Sequence, residues 1–297
     1  MSLEIYDYSA YTTNGKGGNR AAVVFGLSLE SKTKMQDLAV SLGAPATVFV
    51  GISDRLFAAE SPLPLRLRFF TPHCEENICG HGTVAALLAL ENRGGLNGWT
   101  IPTEPFELET PLGIQNAYIE NNTAWLEYPD PTAWNVDLEA IEVAQALGLE
   151  PEDLHEDLGI FAAGVGRTKL VCAVPSTMLL DAAEPNPGAI RAVCQQANTT
   201  GIVLTTFPGR GGCFTDSRHF SLQGSHVLEN AATANAHAAL AAYLAAHQFF
   251  DNGARRFAGA QGYAMRQPSR LEVKCTVQDN RVVQVWIGGK ALSADLT

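Results

Sequence analysis

A cysteine and a histidine stand among glycines directly before an apolar helical run. The stretch ENICGHGTVAALLAL, residues 76–90, contains Cys79, Gly80, His81 and Gly82. The first N–H groups of a helix have no partner inside the helix, and they carry a partial positive charge. Such a helix N-terminus favours a carboxylate or an enolate oxygen. We therefore predict that Gly80 and Gly82 let a ligand approach the backbone, with His81 and Cys79 as the catalytic side chains.

A second stretch repeats this design without the cysteine and the histidine. In ENAATANAHAALAAYL, residues 229–244, the letters TANA at 233–236 align with CGHG at 79–82. Thr233 and Ala234 are predicted to contact the substrate. Asn230 and Asn235 carry side-chain amides, which can donate hydrogen bonds to a carbonyl oxygen but cannot serve as a carboxylate base. We predict catalytic roles of this hydrogen-bonding kind for both asparagines.

These stretches belong to a repeat of about 150 residues that covers most of the chain. Each half has a glycine-rich turn before an apolar strand, then an amphipathic helix, a β-rich strand and an Arg-x-Phe triplet. The turns begin at Gly17 and Gly164, and the triplets are residues 68–70 and 218–220. The repeat predicts an α/β protein with α+β mixed sheets. It is expected to form two pseudo-symmetric domains, each a mixed β-sheet wrapped around a central helix.

The central helices are predicted at residues 81–92 and 233–247, where alanine, leucine and valine recur at the density of a buried helix. The segment YPDPTAWN, residues 128–135, contains two prolines and marks the join between the halves. An active-site cleft is expected between the halves, because ligand sites are common at domain interfaces. The predicted halves are residues 1–128 with a C-terminal strand at about 282–297, and residues 129–281.

Composition narrows the class of protein. The net charge of −11 disfavours nucleic acid as a partner, because phosphate binding needs a basic face. No run reaches the ~18 apolar residues of a membrane span, and the N-terminus lacks the pattern of a secretory signal. The six cysteines are scattered without a CxxC pair, and HCEENIC matches no standard metal-ligand spacing. We expect a cytoplasmic protein without a disulfide framework or a bound metal.

Four segments resemble the phenazine-biosynthesis isomerase (PhzF-like) family, which has the diaminopimelate-epimerase fold. They are GGNRAAVVF, LRFFTPHCEENICGHGTVAALLAL, SRHF with ENAATANAHAALAAYL, and VQVWIGGKAL. The resemblance runs from about residue 4 to residue 292. It implies two pseudo-symmetric domains, a site for a small-molecule substrate, no cofactor, and a homodimer as one assembly. Asn19, in the first of these segments, is assigned to substrate binding.

This sequence retains only some of the residues that move the proton in this family. The resemblance implies a glutamate in a SET-like triplet, but the triplet here is PAT and the position is Ala46, which is kept as a substrate-binding position. A histidine in a GHAT-like turn is retained as His81. An aspartate and a serine in an EDPATGSA-like turn are replaced, because this turn is ENAATANA with Asn230 and Asn235 at those positions.

The missing glutamate raises the question of which group could act as a base. In the related epimerases two cysteines act as the bases. Here Cys79 stands at the first cysteine position, but Thr233 stands at the second, which disfavours a two-thiol racemase. A general base normally contributes about 10²–10⁴-fold in rate. If proton transfer at carbon survives, another group must supply it. The nearest candidates in the sequence are Cys79, His81, Glu76 and Glu229.

Three functions remain open at this point. The first is an isomerase or cyclase of a small carbonyl-containing intermediate of specialised metabolism. It would bind and polarise its substrate through hydrogen bonds and promote an isomerisation, a cyclisation or a pericyclic step. The second is the family's proton-shifting isomerase or epimerase reaction on a dihydro-hydroxyanthranilate type of substrate, with His81 or Cys79 as a relocated base. The third is a non-catalytic small-molecule-binding relative.

Overall fold

The chain folds as two compact units, which are residues 1–127 with 288–297 and residues 128–287. A computed structural model describes residues 3–26, 29, 31–52 and 65–294. The C-terminal strand predicted at about 282–297 covers two strands of the structure, and only the residues from 288 onward belong to the first unit. Among the described residues, no helix is long and apolar enough to cross a membrane.

The described residues of the first unit form two α-helices and a mixed set of strands. The helices are α1 (Lys32–Leu42) and α2 (Gly80–Arg93). The strands are β1 (Glu4–Ala10), β2 (Asn19–Phe25), β3 (Thr47–Ile52), β4 (Leu65–Phe70), β5 (Glu75–Glu76), β6 (Phe106–Thr110), β7 (Gly113–Glu120) and β8 (Thr123–Tyr128), whose last residue lies beyond the boundary, and the late strand β18 (Ala291–Ser293).

The second unit has four α-helices and a corresponding mixed set of strands. The helices are α3 (Ala140–Leu147), α4 (Thr177–Ala182), α5 (Pro187–Gln196) and α6 (Ala234–Ala246). The strands are β9 (Thr132–Asn135), β10 (Phe161–Gly164), β11 (Lys169–Ala173), β12 (Gly201–Thr206), β13 (Thr215–Gln223), β14 (His226–Asn230), β15 (Gly253–Gln261), β16 (Ser269–Gln278) and β17 (Arg281–Gly289), which runs across the boundary.

The strands of the two units have the same connectivity. In the first unit β1 pairs antiparallel with β2, β2 parallel with β3, β3 antiparallel with β4, β4 parallel with β6, and β6 antiparallel with β7. Strands β10, β11, β12, β13, β15 and β16 repeat these five pairings in the second unit. The hairpins β4–β5 and β13–β14 also correspond. The repeat of about 150 residues is therefore a repeat of topology.

Each sheet packs on a helix that is buried nearly all round. Residues 82–90 of α2 are all buried, and α2 packs on β1, β2 and β3. Eleven of the thirteen residues of α6 are buried, and α6 packs on β9, β10, β11 and β16. A helix that is apolar on every side belongs in a core, which explains why its alanines and leucines show no polar stripe. The structure thus places both predicted central helices in the cores of their units.

The Arg-x-Phe triplets have the same structural role in both units. Arg68 on β4 forms an ion pair with Glu75 on β5, with 2.6 Å between Nη2 and Oε1, and lies over the Phe70 ring. Arg218 on β13 forms an ion pair with Glu229 on β14, with 2.9 Å between Nη2 and Oε2, and stacks on a phenylalanine two residues later. Each pair fixes the hairpin that leads into the central helix.

Candidate functional site

The N-terminus of α2 brings the predicted cysteine and histidine into contact. Cys79 is the N-cap residue and has extended backbone geometry, and its side chain does not cap the helix. Its Sγ atom lies 3.5 Å from Nδ1 of His81. Both side chains are partly buried. Gly82 packs tightly, since a Cβ atom there would lie 2.7 Å from Cγ2 of Val48 and 3.0 Å from Sγ of Cys79.

Burial makes both of these groups neutral near pH 7. It lowers the pKa of His81 to about 4, so the imidazole is uncharged and weakly basic. Burial raises the pKa of the Cys79 thiol to about 12, so the group is a thiol rather than a thiolate. His81 is therefore unprotonated but only a weak base, and Cys79 lacks the thiolate that could accept a proton. Both retain the capacity to hydrogen-bond a ligand.

Two further predicted positions lie on the sheet face that α2 covers. Ala46 directly precedes β3, is 3% exposed, and accepts a hydrogen bond from the backbone N–H of Ala22 through its carbonyl. Its side chain lies on the same face as that of Val48, because side chains alternate along a strand. Asn19 begins β2 and shares this face with Val23, which pairs with Val48. Because the side chain of Ala46 is only a methyl group, no titratable group stands at the position where the family pattern has a glutamate.

The N-terminus of α6 is held by a buried glutamine and a buried histidine. Thr233 is the N-cap residue, and its backbone N–H donates to Oε1 of Gln261 at 3.2 Å. Nε2 of Gln261 donates to the carbonyl oxygen of Asn230 at 2.6 Å and to Oγ1 of Thr233 at 3.3 Å. Nδ1 of His219 lies 3.0 Å from the same threonine oxygen. These contacts fix the turn from β14 into α6.

The two predicted asparagines lie on either side of this turn. Asn230 donates from Nδ2 to Oγ of Ser221 at 2.9 Å and to the carbonyl oxygen of Leu228 at 3.3 Å. Asn235 donates from Nδ2 to the carbonyl oxygen of Val165 at 3.2 Å. Its buried Oδ1 atom accepts no hydrogen bond within the described part of the chain. Both side chains are partly exposed.

Two glutamates were candidates for the missing base. Glu229 is engaged by Arg218, whose Nε and Nη2 atoms both donate to its carboxylate at 2.9 Å. Such a bidentate pair occupies both carboxylate oxygens. Glu76 lies on β5 beside the Arg68–Glu75 ion pair, and its Oε1 atom is 3.7 Å from Sγ of Cys74. The geometry thus makes Glu229 a structural group rather than an available base.

Comparison with known proteins identifies the family to which this chain belongs. A family model described as phenazine biosynthesis-like protein, PhzC-PhzF, matches residues 8–295. The chain belongs to the PhzF family. It is 30% identical over 298 residues to "Uncharacterized isomerase YddE" of Escherichia coli strain K12, an alignment that covers 98% of this chain and 96% of that protein.

Solved structures support the same assignment. The Bacillus anthracis phenazine biosynthesis protein of the PhzF family matches with a TM-score of 0.81 and 25% identity, covering 99% of this chain and 97% of that one. A hydroxyproline epimerase from Agrobacterium vitis matches with a TM-score of 0.57 and 14% identity, covering 98% and 89%, and shows the fold alone. The family and the fold class predicted from the sequence are confirmed.

Three buried polar residues of the second unit were not singled out in the sequence. Gln261 ends β15, His219 lies on β13, and Lys169 begins β11. Lys169 and His219 are 4% and 2% exposed. A lysine that opens the apolar run KLVCAV was the one available signal, because lysine is rarely buried fully unless it is paired. His219 could be found only from the pairing of its strand.

Proposed function

We propose that this PhzF-family protein is a cofactor-independent isomerase or cyclase that acts by binding and hydrogen-bond polarisation. Its substrate is a small carbonyl-containing intermediate of specialised metabolism. The N-termini of α2 and α6 supply backbone N–H donors and the positive ends of two helix dipoles. Such preorganised donors stabilise charge that develops on a carbonyl oxygen, and one donor is typically worth about 10²–10³-fold in rate.

One observation carries this proposal. At the positions where the family pattern has a glutamate and an aspartate, this chain has Ala46 and Asn230. The two other candidate bases at the α2 N-terminus are neutral at pH 7, since burial lowers the pKa of His81 to about 4 and raises that of Cys79 to about 12. Apart from Glu76 on β5, the candidate groups at both helix N-termini retain hydrogen-bonding capacity rather than strong basicity. An isomerisation, a cyclisation or a pericyclic step is the chemistry that such a set supports.

The names of the relatives favour a catalytic function over simple binding. Two relatives at 30% identity are named isomerases, the Escherichia coli protein and one from Deinococcus radiodurans. A proton-shifting isomerase with His81 as base is the competing enzymatic function, and its contact with Cys79 is the observation in its favour. The two enzymatic functions differ in whether His81 accepts a proton from the substrate, and therefore in the effect of removing its basic nitrogen.

We predict that kcat for product formation is constant between about pH 5.5 and 8.5. With a pKa of about 4 for His81 and about 12 for Cys79, neither group changes its charge in this range. The measurement is the rate of isomer formation from a saturating dihydro-hydroxyanthranilate, followed by NMR at several pH values. The matched variant is His81→Gln, which keeps a hydrogen-bonding side chain but cannot titrate.

The competing function gives a different response to the variant. With a pKa of about 4, a His81 base is unprotonated throughout this pH range, so its kcat is constant too, and the loss of its basic nitrogen decides between the functions. If His81→Gln lowers kcat by about 10²-fold or more while the substrate still binds, His81 is the base and the proposed mechanism is wrong. If the protein forms no product from any carbonyl substrate offered, the catalytic proposal fails and the binding function is favoured.

A further inference from the structure

The second unit contains a buried lysine without a carboxylate partner. Lys169 opens β11 and is 4% exposed. Its Nζ atom donates to Oγ1 of Thr200, and no ion pair joins it to any acidic side chain in the described residues. A buried ammonium group is costly unless an anion compensates it. The protein therefore carries an uncompensated donor in its interior, which a bound anion would satisfy.

Lys169 lies on the face of the sheet that α6 covers. Alternation along β11 puts its side chain on the face of Val171, which packs in one core cluster with α6 residues. Lys169 directly precedes the Leu170–Ile202 pair, so Gly201 is its neighbour on β12. Gly201 pairs with Ser221 on β13. Because a glycine stands between them, no side chain of β12 separates Lys169 from Ser221.

A second buried group on this face lacks a partner. His219 lies two residues before Ser221 on the same face of β13, and its Nε2 atom has no hydrogen-bond partner among the described residues. Oγ1 of Thr233 already accepts from Gln261, so the threonine hydroxyl can donate to Nδ1 of His219. That arrangement leaves the imidazole proton on Nε2, where it is an unused donor.

We propose that Lys169 and Nε2 of His219 bind an oxyanion group, a carboxylate or a tetrahedral oxyanion, at the N-terminus of α6. The side chain of the N-cap residue Thr233 makes no capping hydrogen bond, so the first N–H groups of α6 add to the donors. Asn230, Thr233 and Asn235, which surround the turn, are partly exposed. This proposal deepens the proposed function by naming an anionic group on the substrate, and it rests on that function only for the identity of the ligand as substrate.

The charges around the lysine set the pH dependence of binding. Burial, followed by the positive charge of Arg167, lowers the pKa of Lys169 to about 7, while Cys194 acts in the opposite direction. The pKa of His219 is lowered well below its usual value by burial and by Lys169, His237 and Arg167, so His219 stays neutral. Only the protonated lysine attracts an anion strongly. Affinity is therefore constant below pH 6 and weakens about tenfold for each pH unit above 7.

The test is calorimetric binding of benzoate and of inorganic sulfate to the full chain between pH 5.5 and 8.5, with benzamide as the uncharged control. We expect benzoate, sulfate or both to bind with the stated pH dependence, and benzamide to bind much more weakly. Lys169→Met should weaken binding about 10- to 100-fold, the value of a hydrogen bond to a charged group. The matched variant Lys34→Met, which removes an exposed lysine of α1, should change nothing.

The result that overturns the proposal is equally specific. It fails if neither anion binds at millimolar concentration, if benzamide binds as well as benzoate, or if the affinity is the same at pH 6 and pH 8.5. It also fails if a folded Lys169→Met binds normally. The pH series on the unmodified protein decides the question even if that variant does not fold. Since no turnover is measured, this outcome is independent of whether the proposed isomerase activity is found.

Discussion

Restoring the two lost carboxylates in Ala46→Glu/Asn230→Asp should produce proton exchange at carbon that the unmodified protein lacks. A positioned general base contributes about 10²–10⁴-fold, so deuterium uptake into a dihydro-hydroxyanthranilate in deuterated water should rise by at least about 100-fold. Ala46 is 3% exposed, and burial there raises the pKa of an introduced carboxyl toward neutrality, which suits a base. Mass spectrometry of the recovered substrate and product measures the uptake.

The control for this experiment keeps the shape and removes the charge. Ala46→Gln/Asn230→Asp introduces a side chain of the same size that cannot accept the proton, and it should show no gain. The hydroxyl of Ser221, which now accepts from Asn230, can rotate to donate to an introduced aspartate. If the glutamate variant folds as judged by circular dichroism and still shows no exchange, Ala46 does not mark the position from which the family's proton is moved.

Arg218→Met should destabilise the second unit by about 3 kcal/mol, near the lower end for breaking a buried pair. The arginine is 7% exposed and donates to both oxygens of Glu229 and to the carbonyl oxygens of Leu180 and Ala183. Its removal leaves an unpaired carboxylate whose side chain is only 18% exposed, together with two unsatisfied carbonyls. Urea unfolding followed by tryptophan fluorescence and circular dichroism measures the loss.

The equivalent arginine of the first unit is the matched comparison. Arg68→Met should cost less, about 1–3 kcal/mol, because Lys32 remains 3.0 Å from Oε2 of Glu75 and still compensates its charge. The double variant Arg218→Met/Glu229→Leu should recover much of the stability, since an apolar pair replaces the ion pair. Equal losses for Arg218→Met and Arg68→Met would contradict this account of the two pairs.

The sequence predicts the central helices closely because their signal is local. The predicted ranges 81–92 and 233–247 compare with Gly80–Arg93 and Ala234–Ala246 in the structure. Continuous alanine and leucine with flanking small residues leaves little choice but a buried helix. The repeat was equally accessible, because the same order of turn, strand, helix and Arg-x-Phe occurs twice. The corresponding strand pairings could then be expected from one half to the other.

The groups that bear on the proposed oxyanion site could not be found in this way. Lys169 and His219 are 50 residues apart in the sequence, and only the pairing of β11, β12 and β13 places them on one face. The protonation state of His81 could not be predicted either, because its motif identifies the imidazole but not the burial that lowers its pKa. Motifs identify residue types, whereas the protonation state of a residue depends on contacts between distant segments.

The proposed function requires that this protein rearrange its substrate without moving a proton through solvent-exchangeable side chains. The most direct test is to convert a dihydro-hydroxyanthranilate with the unmodified protein in deuterated water and to determine the mass of the product. We predict an isomer with the mass of the substrate and no deuterium on carbon. A product that carries one deuterium on carbon would contradict this proposal, because its formation then includes a proton transfer to carbon from a solvent-exchangeable source.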